Sequence, residues 1–183
     1  IKKYANKAMS IPEDSKFNTG LIISKYSSKD IVPLLPLLAI EFPDWSLKKI
    51  KSYIDIVIEG KNDVSGILVA KNEALYNVGL LVYTFQQIQN KQISKTNGEN
   101  LSKCLVVENL VASSPVLQKM VFLLLIEEVI DIAKNHNCEL IELPKLDGSY
   151  QLVNDKFNGS VIDSGNFRTF LDLNKISIPK KSL

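Results

Sequence analysis

Leu105-Val106-Val107-Glu108-Asn109-Leu110-Val111 runs through Ala112 into Ser113-Ser114-Pro115, and a long apolar stretch then continues to Lys134. From Leu101 to Ala112 apolar and β-branched residues dominate, which reads as a strand. The next stretch reads as a helix. Ser114 is a capping residue, and Pro115 suits the first helical position because the N–H it lacks would have no partner there. Asn135-His136-Asn137 closes the helix. Its apolar residues, Val116, Leu117, Met120, Val121, Leu123 to Leu125, Val129, Ile130, Ile132 and Ala133, cover much of its circumference, so it is expected to lie on a sheet by a broad face.

Downstream, Glu139-Leu140-Ile141-Glu142-Leu143 is a strand, 148–157 a helix, and 160–163 with 167–173 a strand pair around Ser164-Gly165-Asn166. Upstream, Leu21 to Tyr26 is a short strand, and Ser27-Ser28-Lys29-Asp30 offers caps for a helix running to about Phe42. Pro36 implies a kink or a late start in that helix, because an interior proline costs about 3 kcal/mol. Ser46 caps the next helix, in which Leu47, Ile50, Tyr53, Ile54, Val57 and Ile58 recur at helical spacing. Gly66 to Lys71 and Tyr76 to Phe85 form a hairpin, and the polar segment 87–103 reads as a long loop between paired strands.

The order is β-α-α-β-β-β-α-β-α-β-β. Three consecutive strands without a helix exclude a doubly wound parallel sheet. The expected fold is α/β (α+β), with a mixed, mostly antiparallel central sheet flanked by helices. Residues 1–20 read as an N-terminal arm, 21–174 as the one folded domain and 175–183 as a tail.

Composition narrows the function classes. The chain has 183 residues with 45% apolar content, enough for a single buried core. Its 22 basic and 20 acidic residues leave +2, with signs interspersed, so no basic stripe marks a nucleic-acid surface. The apolar runs fall short of the ~18 residues that a membrane span needs, and the expectation is a soluble, cytoplasmic protein. Cys104 and Cys138 read as buried free thiols or, less readily, a disulfide. With one histidine, His136, and no Cys-x-x-Cys spacing, no metal site is expected.

The element order, with Leu105 to Val111 leading into a long helix, resembles the GNAT superfamily of acyl-CoA-dependent N-acyltransferases over residues 21 to about 173. Val78-Gly79-Leu80-Leu81-Val82 looks like the glycine-containing strand of that family, and Asn154-Asp155-Lys156-Phe157-Asn158-Gly159 like a loosened form of its Tyr-Glu-Lys-x-Gly-Phe signature. The resemblance implies an acetyl-CoA or other acyl-CoA donor, an amine acceptor, and transfer by direct attack. It also implies backbone near Leu110, Val111 and Ala112 holding the pantetheine arm. Dimerisation is common in the family, and the apolar last strands would support a homodimer.

In the family an Arg/Gln-x-x-Gly-x-Gly/Ala turn lets main-chain amides approach the coenzyme A pyrophosphate at a helix N-terminus, where unpaired N–H groups and the helix dipole favour an anion. The equivalent stretch here is Val116-Leu117-Gln118-Lys119-Met120-Val121, with Lys119 and Val121 where the glycines would fall. Leu117 to Val121 are the candidate pyrophosphate residues. An ordinary helix cap and first turns is the competing reading.

Glu108 is the candidate general base. By period-2 alternation Cys104, Val106, Glu108 and Leu110 share one face, which would set a carboxylate among apolar neighbours. Desolvation raises a carboxyl pKa, as a base accepting a proton near neutrality requires. The family often carries a glutamate in this strand; solvent exposure at a sheet edge or a lysine partner is the plain alternative. The family's proton-donating tyrosine maps onto Asn154, which carries no transferable proton; Tyr150, four residues earlier, is the nearest substitute, with a plain packing role as the competing reading. Asp147 replaces an asparagine that commonly contacts the cofactor.

Two functions remain in view: a GNAT-type acyltransferase, or a non-catalytic module of that fold used in binding or assembly. An unrelated α/β protein sharing the element order is a third.

Overall fold

The computed structural model describes residues 20–59, 64–89, 101–144, 155–157, 160–163 and 168–176. The expected 148–157 helix lies mostly outside them, as do Asp147, Tyr150 and Asn154.

Strand β1 is Ile22–Tyr26, and a 3-10 turn at Val32–Leu34 leads into α1, Leu35–Glu41. The late start anticipated from Pro36 is what forms: proline sits in the first turn of α1, where its missing N–H breaks no helical hydrogen bond. Helix α2 is Leu47–Glu59, followed by β2 Ser65–Lys71, β3 Asn77–Gln89, β4 Leu101–Ala112 and α3 Pro115–Asn135. Strands β5 Leu140–Pro144, β6 Val161–Asp163 and β7 Arg168–Asp172 complete the sheet. The hairpin β3–β4 is longer than expected, since pairing reaches Gln89 opposite Leu101 and leaves less of 87–103 for a loop.

The seven strands lie in the order β1-β2-β3-β4-β5-β7-β6. Only β4–β5 is parallel, with α3 as the crossover that such a pair needs. One face packs on α3: Leu68, Leu81, Tyr83, Leu105 and Val107 meet Phe122, Leu125, Ile126, Val129 and Ile130. On the other face Ile67, Val69, Leu80, Val82 and Val111 meet Leu34, Leu37 and Leu38 from the 3-10 turn and α1, and Ile50, Ile54 and Val57 from α2.

Gly79 explains how closely α3 approaches. A Cβ there would stand 2.2 Å from Val121 Cγ1, so only glycine admits the helix at this distance. Asn137, in the left-handed region at φ 56°, ends α3, and the next amide, Cys138 N–H, returns to Ala133 O at 2.9 Å. Both cysteines are buried free thiols. Among the described residues, no helix is long and apolar enough to cross a membrane, and no three metal-binding side chains converge.

Candidate active site

Two irregularities in β4 create the site. The first is a bulge: Val82 pairs with Asn109 and Tyr83 with Val107, so Glu108 is an extra residue without an opposite number. The second is a parting of strands. The β4–β5 ladder ends at Val106 and Glu142, while β4 continues to Ala112. Beyond Val106, no described strand pairs with β4 on its β5 side, and the Val107 carbonyl is taken instead by Arg168 Nη2 at 2.9 Å.

The bulge also resets the alternation. Leu105 and Val107 face α3, and after the extra residue so do Leu110 and Ala112. Leu110 therefore does not share a face with Glu108, contrary to simple period-2 reading. Cys104 and Val106 do share that face, but the immediate partners of Glu108 are polar. Thr84 Oγ1 donates to its Oε1 at 3.1 Å and Gln86 Nε2 at 3.4 Å, and the residue is half-buried.

Beside Glu108, Asn109 turns toward α1 and α2. Its Oδ1 accepts from the Tyr53 hydroxyl at 2.6 Å, and its Nδ2 donates to Glu41 Oε1 at 2.7 Å. Burial pushes the Tyr53 hydroxyl up to about 12, with Glu108 and Glu41 adding to the rise because each disfavours a phenolate nearby. Phe42 stacks on Trp45 at 4.2 Å between centroids, and both meet Tyr53 edge-on. Glu41, Tyr53 and Asn109 were not singled out from sequence. Their one local signal was the adjacent polar pair Glu108-Asn109 interrupting an apolar strand.

The start of α3 is more closed than a phosphate grip requires. Pro115 has no N–H, Val116 N–H donates to Ser114 Oγ at 3.2 Å, and Leu117 N–H donates to Ser114 O at 3.2 Å. Val116 and Lys119 are exposed, Leu117 is exposed at 37%, and Gln118 and Met120 are half-buried. Val121 points into the sheet against Gly79 and is fully buried, so of the two side chains expected to project at the glycine positions only Lys119 does. Val111 faces the α1–α2 side of the sheet. His136 ends α3 with its ring 4.6 Å from Phe85 and takes no part in the site.

No protein-family model and no curated protein matches the sequence. Solved structures are similar in fold. The aminoglycoside 6'-N-acetyltransferase AAC(6')-Ih of Acinetobacter baumannii superposes with a TM-score of 0.54 at 15% identity, covering 74% of this chain and 88% of that one. A Trypanosoma brucei acetyltransferase gives 0.54 at 17% identity, covering 74% and 89%. A GNAT family acetyltransferase of Staphylococcus aureus gives 0.52 at 15%, covering 67% and 84%.

Proposed function

Because the chain carries the GNAT acetyltransferase fold, we propose that it transfers an acetyl or other acyl group from acyl-CoA to an amine by direct attack. The observation that carries this reading is the gap beyond Val106 and Glu142, with Glu108 bulged out two residues past the last β4–β5 pair. A pantetheine arm is itself a chain of amides. It would lie along Leu110 to Ala112 as an added strand, exchanging hydrogen bonds with main-chain groups that β5 leaves open. Glu108, half-buried and oriented by Thr84 and Gln86, would take the proton from the attacking ammonium. The nitrogen lone pair then forms the new C–N bond, the nitrogen gives up its second proton to solvent as the thioester C–S bond breaks, and the thiolate leaves with a proton from solvent or from Tyr150, the substitute acid read from the sequence. Leu117, Gln118, Lys119 and Met120 would border the diphosphate, with Lys119 supplying charge where main-chain donors are few.

A second reading, a non-catalytic binding or assembly module, is favoured by one observation: the first amides of α3 are absent or already engaged, by Pro115 and by Ser114. Calorimetric titration with acetyl-CoA and longer acyl-CoA esters separates the two. Saturable binding is expected for the transferase, whereas no heat with any ester, and binding gained on Lys119→Gly, would favour the module.

A further inference from the structure

We propose that Arg168 is a positioning residue for the transfer step: its guanidinium fixes the peptide between Val107 and Glu108, and through that peptide the place of the Glu108 carboxylate. This rests on the acyltransfer reading and deepens it, since Arg168 acts through Glu108 and touches neither donor nor acceptor.

The parting of β4 and β5 has a cause in β5 itself. In a parallel ladder, a carbonyl that faces the neighbouring strand takes its N–H from the residue after its opposite number. The last pair is Val106 with Glu142, so one step further on the Val107 carbonyl would look to residue 144. That residue is Pro144, which has no N–H to give. Val107 is fully buried, so its carbonyl still needs a donor. Pro144 is paired on its other side with Arg168 of β7, and Arg168 Nη2 reaches across β5 to Val107 O at 2.9 Å. A side-chain bond thus stands where a main-chain bond would have been, and β5 is released from β4.

The contact reaches Glu108 because the two residues share a peptide. That peptide is trans, so the Val107 carbonyl and the Glu108 N–H point in opposite directions in one plane, and holding the first orients the second. Glu108 needs this more than its neighbours do, for the bulge leaves it no opposite number in β3 to set its backbone. Thr84 and Gln86 then hold the far end of the side chain, at 3.1 and 3.4 Å from Oε1. The remaining arm of the guanidinium has a different task. Its Nε pairs with Glu142 Oε1 at 2.5 Å, which ties β7 to β5.

The two arms are cut separately by two variants. Arg168→Lys keeps a cation for Glu142, but lysine Nζ stands where arginine has Cζ, one bond short of the Val107 carbonyl. Glu142→Gln removes the charge pair and leaves the Nη2 contact. CoA thiol release from acetyl-CoA is followed with 1,4-diaminobutane or spermidine as the amine, beside a thermal melt and the amide NMR spectrum of each protein. Arg168→Lys is expected to lower kcat at least about tenfold, the cost of a slightly misplaced base, with the KM for acetyl-CoA within about twofold. Its Glu108 and Asn109 amide signals should shift or broaden. Glu142→Gln is expected to lower the melting temperature and keep kcat within about threefold below it. A purely structural arginine would make kcat fall with melting temperature in both variants, and that result would overturn the proposal. So would a native kcat in Arg168→Lys, or Glu108 amide signals that do not change. Native turnover with an unaffected Arg168→Lys sinks this proposal alone. Absent native turnover with the Glu108 amide still responding to Arg168→Lys sinks the transferase reading and leaves Arg168 as the residue that sets the bulge.

Discussion

Arg168 Nη2 donates to the Val107 carbonyl at 2.9 Å, at the first β4 position beyond the β5 ladder. Its Nε lies 2.5 Å from Glu142 Oε1, so one guanidinium joins β7, β5 and β4 where the strands part. The contact replaces the ladder bond that the parting removes, immediately before the Glu108 bulge. Arg168→Met is therefore expected to cost about 1–3 kcal/mol, since it unpairs a carbonyl and leaves the largely buried Glu142 without its cation. Urea unfolding measures the loss, and amide exchange should accelerate first around Val107 to Asn109.

Gly79→Ala tests the seating of α3. The added methyl meets Val121 Cγ1 at 2.2 Å in a fully packed core, and overpacking of this kind costs about 1–3 kcal/mol. Gly79→Ala with Val121→Ala should recover part of that loss in a thermal melt. If the single variant is neutral, α3 does not sit this closely on β3.

Tyr53 should titrate late. With its pKa raised to about 12 in the folded protein against an ordinary 10, the folded state keeps the proton while the unfolded state releases it. The associated stability is fully present below pH 10 and is lost as pH rises toward 12. Tyrosinate absorbance should show the delayed phase, and Tyr53→Phe should remove it.

Cys104 and Cys138 should resist alkylation in the native state. Burial pushes the Cys104 thiol up to about 12 and raises that of Cys138 as well, so little thiolate exists at neutral pH. Both should react with a thiol reagent once the chain is unfolded in denaturant. Rapid native labelling of either would contradict their burial.

The fold was legible because its decisive segment uses strong local signals. The apolar run from Leu101 to Ala112 and the Ser114-Pro115 start act within a few residues, and Pro36 announced the late start of α1 in the same way. The bulge at Glu108 was not legible. It comes from the register between β3 and β4, and an inserted residue leaves no compositional trace beyond two adjacent polar side chains. That register decides which way Leu110 faces. The Glu41–Asn109–Tyr53 chain was hidden for a related reason, since its links join residues 68 and 56 positions apart. Glu108 itself could be chosen from sequence, because a lone carboxylate in an apolar strand is conspicuous, but its Thr84 and Gln86 partners required the pairing of strands. The buried inward turn of Val121 likewise depends on Gly79, far away in the chain.

Acyl transfer is tested most directly by following CoA thiol release from acetyl-CoA, with and without 1,4-diaminobutane or spermidine, for the native protein and Glu108→Gln side by side. Amine-dependent release by the native protein is expected, reduced about 10²-fold or more in the variant at unchanged melting temperature. Release that ignores the amine, or that persists undiminished in Glu108→Gln, would contradict a base at the β4 bulge.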